Sequence, residues 1–226
     1  PDGRLLLGFA QHEQRIEFDG SHVVTLTPRL VGEEDAGREL LDDVKWSRDA
    51  AKLFLLVGGS NVPPTLIVYD LARRQRTVTR LELPGDFYAD QLLMSPAGPR
   101  MYISAHRIDH QGNAYVLDLP GGVVRGTVVR PRLFFEDLQS FDVGPNDTFV
   151  FHVVPPPEWP SPHPHEDAGL YLADRNGAVV ARLTRNAEDV TDVYPRFSTD
   201  GRAITFRRMG LKTSDVYVLV RESSGE

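Results

Sequence analysis

The chain has 226 residues, with 25 Lys plus Arg, 32 Asp plus Glu, seven His and no Cys. A formal net charge of −7 argues against a general nucleic-acid-binding protein, and the absence of cysteine excludes disulfides, thiolate chemistry and Cys-ligated zinc. The longest apolar runs, such as residues 53–57, are the size of a β-strand and far below the roughly 20 residues that span a bilayer, so we predict no membrane span.

A turn followed by an alternating strand recurs along the chain. It is found at residues 1–7, 46–55, 94–103, 143–149 and 197–206. The equivalent turn residues are Asp2, Asp49, Ala97, Asn146 and Asp200, which are 47, 48, 49 and 54 residues apart. Such regular spacing indicates an internal repeat.

A second motif recurs in phase with the first. Alternating runs end in aspartate at residues 16–19, 67–70, 115–118 and 171–174, and a last copy at 216–219 lacks the acid. Turn signals such as Asn176-Gly177 follow, and then another β-rich run, for example residues 179–184. Each repeat therefore holds four strands, which is typical of a β-propeller blade.

The sequence thus predicts an all-β fold, a β-propeller of four-stranded antiparallel blades in one domain over residues 1–226. The repeats cover residues 1–46, 47–94, 95–143, 144–197 and, in part, 198–226, which makes about five blades. The first blade lacks its first strand and the last lacks its fourth. We therefore expect a fragment of a larger propeller, or association through the incomplete terminal blades, because open strand edges invite pairing.

Four segments of the chain resemble the WD40-like (PD40) repeats of the TolB-type β-propellers. They are residues 170–177, 181–184, 195–201 and 215–218. The resemblance implies a propeller fold and a bacterial, extracytoplasmic location, periplasmic or secreted. Its motif is structural, since the aspartate-glycine turn joins two strands, and it identifies a fold and not an activity.

Four histidines fall in equivalent connections of neighbouring repeats. His106 and His110 lie between the second and third strands of the third blade, and His163 and His165 lie in the same connection of the fourth. These connections project from one face, so the four side chains could hold a divalent metal, as histidines do in some propeller lyases. The alternative, which we favour, is an exposed proline-stiffened loop that contains histidine without binding metal.

The connection at residues 155–167 is a proline-rich insertion that makes the fourth repeat the longest. Long loops on a rigid scaffold often carry binding, and Trp159, flanked by prolines, is suited to be a contact anchor. The predicted binding residues are Trp159, His163, His165, Glu166, Asp167, His106 and His110.

Acidic residues concentrate in and near the connections that enter each first strand. They are Glu33, Glu34, Asp35, Asp42, Asp43, Asp86, Asp90, Glu136, Asp137, Glu188, Asp189 and Asp192. They form either an acidic funnel for a cation, a basic peptide or an amine, or ordinary solvated turns, which is the interpretation we favour. The aspartates that end the alternating runs are predicted to form turns: Asp19, Asp70, Asp118 and Asp174.

The sequence has no nucleophile elbow, no phosphate-binding glycine loop and no paired-histidine metalloprotease helix. We therefore predict a non-catalytic module that binds a protein or peptide and needs no cofactor. One alternative is a metal-assisted propeller lyase or hydrolase that uses the four histidines. Another is the gating propeller of a prolyl-oligopeptidase-like enzyme, whose catalytic domain would lie outside this chain. A third is a structural role in which the open ends dock into a larger assembly.

Overall fold

A computed structural model of the chain describes residues 15–18, 22–25, 40–47, 49, 51–59, 62–73, 75–84, 87–107, 112–136, 138–153, 168–186 and 189–221. The regular elements within these ranges are β-strands, with two short 3-10 turns at Pro120–Gly122 and Pro145–Asp147. The all-β prediction is therefore confirmed. No helix in the described ranges is long and apolar enough to cross a membrane.

The described strands follow the chain in this order: β1 (Arg15–Phe18), β2 (His22–Thr25), β3 (Leu40–Trp46), β4 (Lys52–Gly59), β5 (Val62–Asp70), β6 (Gln75–Leu81), β7 (Tyr88–Met94), β8 (Arg100–His106), β9 (Gly112–Asp118), β10 (Val128–Val129), β11 (Arg132–Phe135), β12 (Ser140–Val143), β13 (Phe149–Val153), β14 (Gly169–Ala173), β15 (Val179–Arg182), β16 (Val190–Phe197), β17 (Ala203–Gly210) and β18 (Ser214–Val220).

These strands form five sheets, in which sequence neighbours are mostly strand neighbours. The orders are β1-β2, β10-β6-β5-β4-β3, β11-β9-β8-β7, β12-β13-β14-β15 and β16-β17-β18. The last sheet has three strands within the described residues. The predicted strand at residues 5–7 lies outside the described residues.

The sheet that begins with β3 departs from the four-stranded prediction, because β10 adds to its outer edge in parallel orientation. Thr79 Oγ1 donates to the Gly126 carbonyl at 2.9 Å. The Arg80 amide donates to Thr127 O at 2.8 Å, and Arg130 forms an ion pair with Glu82. The alternating sequence of β6 predicts a strand. It does not indicate which later segment pairs with the outer edge of that strand.

The chain divides into two compact units, residues 1–92 with 119–131, and residues 93–118 with 132–226. In the first unit, alternate residues of β4 and β5 point to one side and form an aliphatic core: Leu53, Leu55, Val57 and Ile67. In the second unit the core is aromatic. Tyr102 and Phe149 meet edge to face, with ring centroids 4.9 Å apart, and Phe149 also contacts Phe134 and Phe135.

The turns that join the first two strands of a sheet show that the repeats are structurally equivalent. Between β3 and β4, Ser47 Oγ donates to Asp49 Oδ1 at 2.6 Å, and the Lys52 amide donates to Ser47 Oγ at 2.8 Å. Between β16 and β17, Ser198 Oγ donates to Asp200 Oδ1 at 2.6 Å, and the Ala203 amide donates to Ser198 Oγ at 2.9 Å. The Ser-x-Asp spacing therefore encodes one turn.

The turn between β7 and β8 has Ala97 where these two turns have aspartate. Its serine, Ser95, instead donates its hydroxyl to Asp147 Oδ1 at 2.5 Å, 52 residues further along the chain. Asp147 is only 3% exposed, has a positive φ of 57°, and also accepts a bond from the Tyr102 hydroxyl at 3.3 Å. The sequence equated Asn146 with the turn aspartates, but its neighbour Asp147 carries the buried carboxylate.

Candidate functional site

His106 is the single member of the predicted histidine set that the structure describes. His110, His163, His165, Trp159, Glu166 and Asp167 lie outside the described residues. The His106 ring Nε2 lies 3.1 Å from Ser104 Oγ, and the ring packs so closely on Gly112 that a Cβ there would come within 2.7 Å. Within the described ranges no three His, Asp or Glu side chains are grouped to hold a metal. The four-histidine metal site therefore stays a prediction.

A polar cluster lies where β12 and β13 meet β16 in the second unit. Its buried members are His152, Ser140, Asn186 and Asp192, and the half-buried Arg208 completes it. Asp192 is fully buried, and Arg208 binds it with both ends of the guanidinium, at 2.7 Å from Nε and 2.8 Å from Nη2. With its amide oriented to match, Asn186 donates to Asp192 Oδ2 at 2.8 Å. The Asp192 carboxylate is therefore saturated by partners from two neighbouring segments.

His152 is the least satisfied member of this cluster. It is 2% exposed, and neither ring nitrogen has a hydrogen-bond partner among the described residues. Burial lowers the pKa of His152 to about 4, against a smaller raising effect of the Asp192 charge. The ring is therefore neutral at pH 7. A general base must come within about 3 Å of the proton it removes, so a ring this deeply buried cannot serve an external substrate.

Tyr194 is the most exposed aromatic residue of β16. It sits in a β-bulge, where the pairing of β16 with β17 shifts between Val193 and Arg196. Its φ is +54°, although the residue before a proline is normally extended and bulky side chains rarely adopt this region. Its amide donates to Ser140 Oγ at 3.1 Å while its side chain remains 58% exposed. The fold thus holds an aromatic side chain in solvent at a cost in backbone strain of about 1–3 kcal/mol.

Sequence reasoning missed Tyr194, because an alternating strand pattern contains no sign of a bulge. Its position beside Pro195 would even favour an extended backbone. The bulge is visible only in the pairing itself, where β16 advances three residues from Val193 to Arg196 while β17 advances two, from Arg207 to Thr205.

Some of the predicted acidic residues are held by hydrogen bonds within the fold, and others are exposed. Asp43 accepts the Leu92 amide at 2.8 Å and the Lys45 ammonium at 2.7 Å, so it is structural. Asp42, at a bulge in β3, has its pKa raised to about 6, mainly by burial and then by the charges of Asp90 and Asp43. Glu136 and Asp189 are exposed. The other acidic residues of the predicted funnel lie outside the described ranges: Glu33, Glu34, Asp35, Asp86, Asp137 and Glu188.

The aspartates that end the alternating runs hold local structure. Asp70 accepts the Arg73 amide at 2.9 Å, and Asp174 accepts the amides of Asn176 and Ala178 at 2.8 and 3.0 Å. Asp118 instead accepts Arg100 Nε at 2.9 Å, and Asp19 lies outside the described residues. Hydrogen bonds from turn amides lower the pKa of both Asp70 and Asp174. These carboxylates stabilise turns, as predicted for Asp70 and Asp174.

No protein-family model and no curated protein matches the chain. Among solved structures, dipeptidyl peptidase 4 of Porphyromonas gingivalis is 14% identical, with a TM-score of 0.56, and the match covers 92% of this chain and 36% of that one. An oligogalacturonate lyase in complex with manganese is 15% identical, with a TM-score of 0.54, over 78% of this chain and 49% of that one. TolB from Acinetobacter baumannii is 19% identical, with a TM-score of 0.53, over 93% of this chain and 49% of that one.

The chain therefore spans less than half the length of each of these three structures. At such low identity the likeness shows the fold alone, and that fold is propeller-like, as the repeats predicted. The number of blades and the closure of the ring remain predictions.

Proposed function

We propose that this chain is a non-catalytic β-propeller module, in one domain, that binds a protein or peptide. The observation that supports it is Tyr194, an aromatic side chain 58% exposed on a strained bulge of an otherwise regular strand. Strain that a fold retains is a reasonable sign of function, and tyrosine offers a large contact area at a small cost in side-chain entropy.

The position of Tyr194 also favours the face chosen from the sequence. Its amide binds Ser140, and Ser140 is paired with His152 near the end of β13. The proline-rich segment at residues 155–167 follows β13 in the chain. We therefore place the contact surface at this end of β12, β13 and β16, with Tyr194 as its anchor and Trp159 as a second candidate.

A peptide library displayed on phage tests this proposal. Peptides enriched on the immobilised chain would be synthesised and their Kd measured by calorimetry. Tyr194→Ala should weaken binding by roughly tenfold or more, because buried aromatic anchors dominate interface energies. Val180→Ala is the matched control, since Val180 on β15 is also 58% exposed. Absence of enriched peptides, or equal effects of the two substitutions, would contradict the proposal.

A metal-assisted lyase or hydrolase is the second candidate. It is supported by His106 at the end of β8 and by the likeness to a lyase in complex with manganese. Elemental analysis of the purified chain and of a His163→Ala, His165→Ala double variant decides it. One metal per chain, lost in the variant, would establish the metal site and make this candidate the leading one.

The likeness to a peptidase of which this chain covers 36% supports a third candidate, the propeller part of such an enzyme. An extracytoplasmic location is supported by the likeness to TolB alone. Secretion of the full gene product in its own host, followed by cell fractionation, would test that location.

A further inference from the structure

Strand β10 covers only part of the edge that it pairs with. It has two residues, Val128 and Val129, and they pair in parallel with the last two of the seven residues of β6. Residues 75–78, in the first part of β6, are exposed. Because parallel pairing is slightly less stable per residue than antiparallel pairing, so short a strand contributes little to the sheet.

The segment that carries β10, residues 125–130, is anchored at both ends and exposed between them, and we call it the β10 flap. Val124 before it is 5% exposed, and Pro131 after it is buried. Within the flap, residues 125–128 are exposed. Gly126 has a φ of +100°, which glycine adopts readily and other residues rarely do. Displacing the β10 flap from β6 would therefore expose little buried surface and leave both anchors in place.

The hydrogen bonds that hold the β10 flap do not depend on its sequence. On β6 and just after it, the donors are the Thr79 hydroxyl and the amides of Arg80 and Glu82. The acceptors, 2.8–2.9 Å away, are the backbone carbonyls of Gly126, Thr127 and Val129. Arg130 also forms an ion pair with Glu82, but its side chain is 82% exposed, and exposed ion pairs contribute little. Another extended segment could accept the same backbone bonds, as strands do when they add to a sheet edge.

The side chains along β6 match an acidic strand better than they match β10. Arg76, Val78 and Arg80 alternate, so they lie on one face of the sheet, and all three are exposed. The β10 flap places Val128 directly opposite Arg80 and adds Arg125 to the same edge. Neither Arg80 nor Arg125 forms a side-chain ion pair with another described residue. Opposite charges directly across two strands stabilise the pairing and like charges oppose it, so this edge is better suited to carboxylates.

We propose that the outer edge of β6 binds an extended acidic segment of a partner protein, and that the β10 flap leaves this edge when the segment binds. The segment runs parallel to β6, with acidic residues opposite Arg76 and Arg80 and an apolar residue opposite Val78. It pairs along all seven residues of β6, whereas β10 pairs with two. Without the partner, the β10 flap occupies part of the site and lowers its affinity. The edge belongs to the first unit and Tyr194 to the second, so the inference does not depend on the contact surface proposed above.

A fluorescently labelled peptide, Thr-Glu-Thr-Val-Thr-Glu-Thr with blocked ends, tests the site on the full chain. Its glutamates have the spacing of Arg76 and Arg80, and its valine the position opposite Val78. Fluorescence anisotropy should show saturable binding, and lysine in place of both glutamates should weaken it by roughly tenfold or more. No binding of the acidic peptide, equal binding of the two peptides, or equal binding of an oligonucleotide of the same charge would overturn the proposal.

Hydrogen exchange measured by mass spectrometry tests the displacement of the β10 flap. When the chain is saturated with the acidic peptide, the amides of residues 75–79 should exchange more slowly, because they gain a strand partner. The amides of residues 125–130 should exchange faster, because they lose theirs. Unchanged exchange of residues 125–130 in the complex would show that the peptide binds without displacing the flap, and the proposal would be wrong.

Two substitutions in the β10 flap should move the Kd of the acidic peptide in opposite directions. Val129→Pro should tighten binding by roughly fivefold, because proline cannot donate to β6 and the flap competes less well. Val128→Glu should weaken binding by roughly threefold, because it places a carboxylate opposite Arg80 and strengthens the flap. Val123→Glu is the matched control, since it adds the same charge outside the flap at a valine that is 37% exposed, and it should leave the Kd within twofold. Shifts in the same direction, or equal effects of the two glutamate variants, would overturn the proposal.

Discussion

Two turns of the molecule contain the same hydrogen bond, in which a serine hydroxyl donates to an aspartate carboxylate. They are the turn between β16 and β17 and the turn between β7 and β8, and their aspartates lie at different places in the chain. In the first turn the acceptor for the serine hydroxyl is Asp200, two residues away and exposed. In the second it is Asp147, which belongs to a different turn and is buried. The same polar contact is therefore local and hydrated in one turn, and long-range and buried in the other.

This difference determines what each carboxylate can stabilise. Among the residues that the structure describes, Asp200 binds its own turn, through Ser198 and the Arg202 amide. Asp147 binds the hydroxyls of Ser95 and Tyr102, which lie on either side of a turn far away in sequence. A buried carboxylate that satisfies two hydroxyl groups links tertiary structure in a way that a turn residue does not.

The largest expected effect comes from removing the buried carboxylate. Asp147→Ala should lower the free energy of unfolding by about 3 kcal/mol, because it leaves two buried hydroxyl groups without their acceptor and places alanine at a positive φ. Asp200→Ala is the control and should cost clearly less. Urea denaturation measures both. Equal losses would show that burial of the contact does not matter.

A second substitution can rescue this variant. In the Asp147→Ala background, Ala97→Asp supplies a carboxylate at the position that Asp49 and Asp200 occupy in their turns. It should restore about 1 kcal/mol by accepting the Ser95 hydroxyl. If Ala97→Asp did not raise the free energy of unfolding in this background, the three turns would not be equivalent.

The next largest effect on stability comes from replacing the glycine of each turn by alanine. Gly201 has φ +70°, and a Cβ there would lie 2.7 Å from Pro145 Cγ, whereas Gly98 at the matching position has no heavy atom within 4 Å. Gly201→Ala should therefore cost about 2 kcal/mol, and Gly98→Ala close to nothing. Thermal unfolding of the two variants checks this, and comparable losses would contradict it.

The last effect concerns His152, a buried polar group that lacks the partners Asp147 has. Its folded pKa of about 4 lies below the 6.5 of an ordinary histidine, so the unfolded chain binds the proton more readily. Stability should therefore fall as the pH falls from 6.5 toward 4, by about 1–2 kcal/mol between pH 7 and 5. His152→Leu should remove this part of the pH dependence. An unchanged slope in the variant would show that another group titrates.

The sequence was informative where contacts are local. The Ser-x-Asp turns and the alternating strands follow from spacings of two residues, so the four-strand repeat could be predicted. It was uninformative where a contact depends on distant residues. The bond from Ser95 to Asp147 spans 52 residues, and the pairing of β10 with β6 joins segments with no shared pattern. Tyr194 was missed because its bulge depends on the register of β16 against β17.

The pairing of β10 with β6 has a consequence for the order in which the chain can fold as it is made. Residues 119–131 belong to the first compact unit, but they follow β7, β8 and β9 in the chain. A ribosome must therefore complete β9 before the outer edge of β6 can receive its last strand. Until residue 129 has emerged, that edge is open to any other strand, so nascent chains of this protein are most exposed to mispairing during this interval.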